Sequence, residues 1–231
     1  MTGPPEIVLF DIDGTLIDTG GAGAKAWRFA FEMLYGVPAD IGKYSNAGMT
    51  DPEVARGTFR AAVGHEPSGR ELARVLHAYL AVLPDMVAES PDYRVLDGVE
   101  GLLPQLRDEG ILLGITSGAL ESGAHAKLGR AGLNKYFAIG GYGSDSADRT
   151  ELTKRALERA ARLLGHEVDL PEAFVVGDTP LDIEAAHGAG AVAIGVGSGR
   201  YSSEQLETAG ADHALDSLAD PFPGMKQAAK S

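Results

Sequence analysis

Four short runs of apolar, mostly β-branched residues punctuate the chain, at Ile7–Phe10, 111–115, 174–176 and Val192–Val196, and each is bounded by glycine or a polar turn. Runs this short and this apolar read as buried strands. Between most of them lie stretches of helical length with apolar residues three and four apart, at Val99–Asp108, 120–131 and 152–164. Strands alternating with helices predict a parallel sheet covered on both faces, a doubly wound, Rossmann-like α/β core.

From residue 16 to about 93 the alternation breaks. That stretch holds no convincing strand but three helical patterns, at 24–35, 51–62 and 70–87. The economical reading is an inserted α-helical subdomain over 17–93, packed by the helix of Trp27, Phe29, Phe31 and Leu34, with the core made of 1–16 and 94–231. Loop chemistry marks its edges, Gly20, Gly21 and Gly23 on one side and Ser90, Pro91 and Asp92 on the other, and these are candidate hinges. The tail from 221 to 231 reads as a frayed terminus.

Charge narrows the function classes. Lys plus Arg number 20 against 33 Asp plus Glu, a formal charge of −13, which is the wrong sign for a basic patch that grips nucleic acid or an anionic membrane. The same acidity repels phosphate, so any phosphate site must carry its own positive charge, from a metal or a few placed Lys and Arg residues. Absence of cysteine removes disulfides, thiolate ligands and a thiol nucleophile. The six histidines show no zinc-binding spacing. No stretch approaches the roughly 18 apolar residues of a membrane span, and residues 1–5 lack a signal-peptide pattern, so the cytoplasm is the expected location.

In an open parallel sheet the ligand crevice lies beyond the carboxyl ends of the strands. Three strand ends are polar here: Asp11-Ile12-Asp13-Gly14-Thr15, Thr116-Ser117-Gly118, and Gly177-Asp178-Thr179-Pro180-Leu181-Asp182. Carboxylates crowded at one rim repel one another unless a cation sits among them, and an all-oxygen ligand set suits a hard ion such as Mg²⁺. A magnesium site with open positions in turn favours a phosphoryl substrate.

Asp-x-Asp-Gly-Thr-Leu after a first strand, with Gly-Asp-Thr-Pro-x-Asp far downstream, resembles the haloacid dehalogenase-like hydrolases, and within them the phosphoglycolate phosphatase-like subgroup with a helical cap. The resemblance implies that Asp11 attacks phosphorus while Asp13 protonates the leaving alcohol and then deprotonates the hydrolytic water. It implies Mg²⁺ held by Asp11, the backbone carbonyl of Asp13 and Asp178, with Asp182 a further ligand through water or an orienting neighbour. Thr116 would bind a phosphoryl oxygen, helped by backbone N–H groups around Ile12, Ser117 and Gly118. The family's phosphoryl-stabilising basic residue has no Lys-Pro signature here. Arg149, in the loop before a helix, is favoured, with Lys154 one turn inside that helix as the fallback.

Other readings stand beside these. Ser117 also fits a helix N-cap. Residues 47–52 fit either a helix start capped by Thr50 or Asp51, or a substrate-selecting loop of Met49, Thr50 and Asp51 with Arg56 nearby. The expected activity is hydrolysis of a small phosphomonoester such as phosphoglycolate or a sugar or nucleoside phosphate, by a monomer or homodimer. The rivals are a phosphomutase on the same scaffold and a catalytically silent binder of phosphate ligands.

Overall fold

The computed structural model describes residues 4–39 and 48–225. Its centre is a six-stranded parallel sheet in the order β5-β4-β1-β6-β7-β8. The strands are β1 (Ile7–Phe10), β4 (Leu112–Ser117), β5 (Ile139–Tyr142), β6 (Ala173–Gly177), β7 (Val192–Val196) and β8 (His213–Leu215). All four residues of β1 are fully buried, and they alternate between two apolar layers. Val8 and Phe10 pack with Leu103, Leu113 and Phe174, whereas Ile7 and Leu9 pack with Ala160, Val175 and Ile183. A strand buried on both faces must be apolar at every position, which is why its sequence reads as a continuous run.

Helices cover both faces: α4 (Val99–Asp108), α5 (Glu121–Gly129), α6 (Arg149–Leu164), α7 (Pro180–Gly188) and α8 (Ser203–Thr208). Four strands lie where the apolar runs predict them, but β5 and β8 do not stand out in the sequence. The β5 sequence is Ile-Gly-Gly-Tyr, and a Cβ on Gly141 would lie 1.8 Å from the Leu152 carbonyl oxygen. Close helix-on-strand packing therefore requires a residue of low strand propensity at that point.

The stretch after β1 forms α1 (Ala22–Tyr35), α2 (Asp51–Val63) and α3 (Gly69–Glu89). These helices share an apolar cluster of their own, in which Trp27 stacks on Tyr79 with centroids 4.0 Å apart. One expectation fails here, because the stretch does contain a strand. β2 (Ile17–Asp18) pairs antiparallel with β3 (Arg94–Val95), and Ser90 Oγ donates to the Thr19 carbonyl at 2.8 Å, so the two crossings are laced together. The frayed-tail expectation also needs correction: Phe222 is buried against Phe174, and Met225 packs on the same cluster. Residues 226–231 lie outside the described residues.

Candidate active site

β1 sits between β4 and β6, with Phe10 paired to Ile115 on one side and Val176 on the other. This is the switch point of the sheet, since the chain leaves β1 toward opposite edges for its two neighbours. The residues following these three strands therefore meet, and Asp11, Asp13, Ser117, Gly118 and Asp178 line one cavity with Lys127, Arg149, Met49 and Asp51. The cavity encloses about 160 Å³.

Carboxylate oxygens of Asp11, Asp178 and Asp182, all buried, lie within 4.8 Å of one another. The positions around them leave no room for larger residues. Gly14 adopts φ 85°, and a Cβ there would fall 2.4 Å from Asp178 Oδ2. Asp182 lies in the first turn of α7, where its Oδ2 accepts from the Thr179 amide at 3.0 Å and hydroxyl at 2.6 Å. Its Oδ1 accepts from Arg149 Nη2. With both oxygens engaged inside the protein, Asp182 fits an orienting role better than direct ligation.

Burial pushes the Asp178 carboxyl up to about 8, and the charges of Asp11 and Asp182 add to the effect. Burial likewise raises Asp11 to about 6, against the opposing pull of Arg149. Asp11, Asp13, Asp51, Asp178 and Asp182 surround this region, against Lys127 and Arg149. Five carboxylates facing two cations is a donor set that a hard divalent ion fits, because such an ion restores charge balance and takes oxygen ligands.

Arg149 is the first residue of α6, whose N-cap is Asp148. Only 9% exposed, it donates from Nη1 to the Gly48 carbonyl at 3.1 Å, and its Nη2 lies 3.6 Å from Asp11 Oδ1. Burial opposes its charge, but Asp182 and Asp11 hold the guanidinium protonated more firmly than usual. Its Nε is buried and has no hydrogen-bond partner among the described residues. Lys154, by contrast, is exposed on α6 and pairs with Glu151 at 2.9 Å, so the fallback lies off the site.

The structure also places the remaining candidates. The Thr116 hydroxyl lies 2.8 Å from Thr153 Oγ1, and Thr153 donates its own proton to the Arg149 carbonyl, so Thr116 spends its hydrogen on Thr153. Ser117, next along the strand, is among the residues lining the cavity, and its Oγ accepts from the Ala119 amide at 3.4 Å. Ser117 does not cap α5, whose N-terminal Leu120 amide donates to Asp51 Oδ2 at 2.9 Å. Thr50 is the N-cap of α2 and binds Glu53, while Arg56 is exposed on α2 and is not among the residues lining the cavity. Met49 and Asp51 do line it. Residues 40–47 lie outside the described residues, and with them Ala47 of the 47–52 segment.

Sequence reasoning missed Lys127. It lies on α5, 6% exposed, and its Nζ donates to Asp13 Oδ2 at 2.5 Å. Burial disfavours the ammonium, but Asp13, Tyr79 and Asp51 more than offset that, leaving Lys127 held charged above its ordinary range. The available signal was a Lys on the apolar stripe of a helix, with Gly123, Ala124 and Leu128 as its buried companions.

An acidic, cation-seeking cavity at the switch point of a doubly wound sheet defines an α/β enzyme built for phosphoryl chemistry. A family model described as haloacid dehalogenase-like hydrolase matches residues 5–190. The phosphoglycolate phosphatase of Caulobacter vibrioides is 29% identical over 220 residues, covering 92% of this chain and 87% of that protein. The validoxylamine A 7'-phosphate phosphatase of Streptomyces hygroscopicus subsp. limoneus is 30% identical over 192 residues, covering 83% of this chain and 85% of its own. Among solved structures, CbbY from Rhodobacter sphaeroides in complex with phosphate is similar with a TM-score of 0.74 at 23% identity, covering 94% of this chain and 96% of that one. The chain belongs to the haloacid dehalogenase-like hydrolases. Both of the curated relatives named above are phosphatases. No described helix is long and apolar enough to cross a membrane.

Proposed function

We propose that the chain hydrolyses a small phosphomonoester, phosphoglycolate or a compound of similar size, through a covalent intermediate on Asp11 with Mg²⁺ as cofactor. The observation that carries the proposal is the convergence of Asp11, Asp13, Asp178 and Arg149 on one cavity. The oxygens of Asp11 and Asp178 and the backbone carbonyl of Asp13 would hold the ion, with Asp182 orienting Arg149. When bound, Mg²⁺ supplies charge neutralisation on the phosphoryl oxygens.

The chain's own groups account for the rest. Asp11 attacks phosphorus, and as the P–O ester bond breaks, Asp13 transfers a proton to the departing oxygen. Asp13, now a carboxylate, removes a proton from water, which attacks the same phosphorus and restores Asp11 with release of inorganic phosphate. Arg149 and Ser117, with the amides near Ile12 and Gly118, bind the phosphoryl oxygens as their charge is redistributed. The helices of 17–93 act as a cap over the core of 1–16 and 94–231, excluding water and choosing the leaving group through Met49 and Asp51.

The test is phosphate release from a panel of metabolite phosphomonoesters with Mg²⁺ or with chelator. Turnover is expected only with the ion, and Asp11→Asn is expected to abolish it. Full activity in Asp11→Asn would sink the nucleophile assignment, and isomer formation without phosphate release would replace hydrolysis by a mutase.

A further inference from the structure

Lys127 comes from none of the strand ends that build the cavity. It reaches in from α5, and its ammonium touches the carboxylate of Asp13 at 2.5 Å. Removing an ammonium from water carries a penalty of several kcal/mol, and a methionine of similar length would fill the same space without it. Packing alone does not explain a charge at that position.

The surroundings tie Lys127 to the inserted helices as well. Asp51, at the start of α2, is buried and lies within the field of Lys127, with the ammonium opposing the effect of burial on the carboxyl. Asp51 is fastened to the core at two points, its amide donating to the Gly118 carbonyl at 2.8 Å and its Oδ2 accepting from the Leu120 amide at 2.9 Å. Tyr93 Oη donates to the Lys127 carbonyl at 2.9 Å, fixing the helix turn that carries the lysine. Asp13 itself is 45% exposed at its side chain, so it has freedom to turn that something must restrict.

We propose that Lys127 is a positioning residue for the proton-transfer group: seated beside Asp51 on the docked helices, it holds the Asp13 carboxyl toward the leaving-group oxygen and stabilises the carboxylate left after the proton is given up. The proposal rests on the acid–base role assigned to Asp13. In the step concerned, the Asp11 oxygen–phosphorus bond forms, the phosphorus–ester oxygen bond breaks, and the proton passes from Asp13 to that oxygen. Lys127 keeps all three of its protons throughout and carries the counter-charge for Asp13. Asp51, held by two hydrogen bonds that exist only when α2 is seated on the 117–120 segment, makes the arrangement depend on closure.

The consequence separates two kinds of substrate. An alkyl leaving group needs the proton, whereas a nitrophenolate departs well without it. The experiment compares kcat/KM, with Mg²⁺, for phosphoglycolate and nitrophenyl phosphate in the wild type, Lys127→Met, Lys127→Gln, Lys127→Arg and Asp13→Asn, with thermal melting to establish that each variant is folded. General acid catalysis contributes about 10²–10⁴-fold, so Lys127→Met and Lys127→Gln are expected to lose on the order of 10²-fold on phosphoglycolate and only a few-fold on nitrophenyl phosphate. Lys127→Arg is expected to recover much of the loss, and Asp13→Asn to show the same asymmetry more strongly. Equal losses on the two substrates, or no loss on either, overturn the proposal and leave Lys127 as structural support. An Asp13→Asn variant without the asymmetry would instead refute the acid–base role of Asp13 itself. Should Lys127→Met fail to fold, Lys127→Gln carries the same comparison.

Discussion

Replacing Asp178 by Asn should stabilise the metal-free protein while destroying its function. The carboxyl is 4% exposed and faces Asp11 and Asp182. Its folded-state value of about 8 stands above the ordinary 3.8, burial being the largest cause. The sign follows from proton counting. Between 3.8 and about 8 the folded chain keeps a proton that the unfolded chain has released, so stability falls as pH rises through that window. At neutral pH the gap is roughly three units, and at ~1.4 kcal/mol per unit the ionisable side chain costs about 4 kcal/mol that an amide of the same shape avoids. For a chain of this size, about 2–4 °C per kcal/mol converts that to a rise of roughly 10 °C in melting midpoint. The assay is thermal unfolding of both proteins in chelator and in Mg²⁺, across the window. In chelator the variant should melt higher, with the difference widening from acid to mildly basic pH; Mg²⁺ should raise the wild-type midpoint and leave the variant unmoved. A variant that melts at or below the wild type in chelator at mildly basic pH would refute the reasoning, because Asp178 would then be compensated by groups already in the fold.

The same charge accounting applies to the cationic side. Arg149→Met strips the guanidinium from Asp11 and Asp182, and in chelator it should lose about 3–5 kcal/mol by denaturant unfolding, with Mg²⁺ restoring part of that stability but not the phosphate release. Gly14→Ala places a methyl 2.4 Å from Asp178 Oδ2 at a left-handed φ of 85°, so about 1–3 kcal/mol of destabilisation and weaker Mg²⁺ binding by calorimetry are expected. Lys154→Ala removes only an exposed pair with Glu151 and should leave stability within ~0.5 kcal/mol and turnover within about twofold, which a phosphate-release assay checks.

The strands with both faces buried were legible because burial on both sides forces an unbroken apolar run, as in Ile7–Phe10. β5 was not, because Gly140 and Gly141 answer to the approach of Tyr142 and Leu152 rather than to strand propensity. The carboxylates of the site were legible from their positions after strands. The contact between the Thr116 and Thr153 hydroxyls was not, since the two residues lie 37 positions apart and meet only when α6 packs on β4. Arg149 over Lys154 follows from helix phase, which places Arg149 inward with Leu152 and Thr153 and leaves Lys154 in solvent. Lys127 was hard to find because its partner Asp13 lies 114 residues away, and no local spacing encodes such a meeting.

The two-stranded ribbon of Ile17–Asp18 with Arg94–Val95 has a bearing on how such an enzyme can change its clientele. Hydrogen-bonded strands lie about 4.8 Å apart, so the path out of the sheet and the path back into it run side by side. A detour that begins and ends at one spot can be lengthened, shortened or exchanged wholesale without altering the register of Phe10 against Ile115 and Val176. With the proposed cap choosing the leaving group, selectivity and chemistry become separable inheritances of this fold, joined by a splice two residues wide.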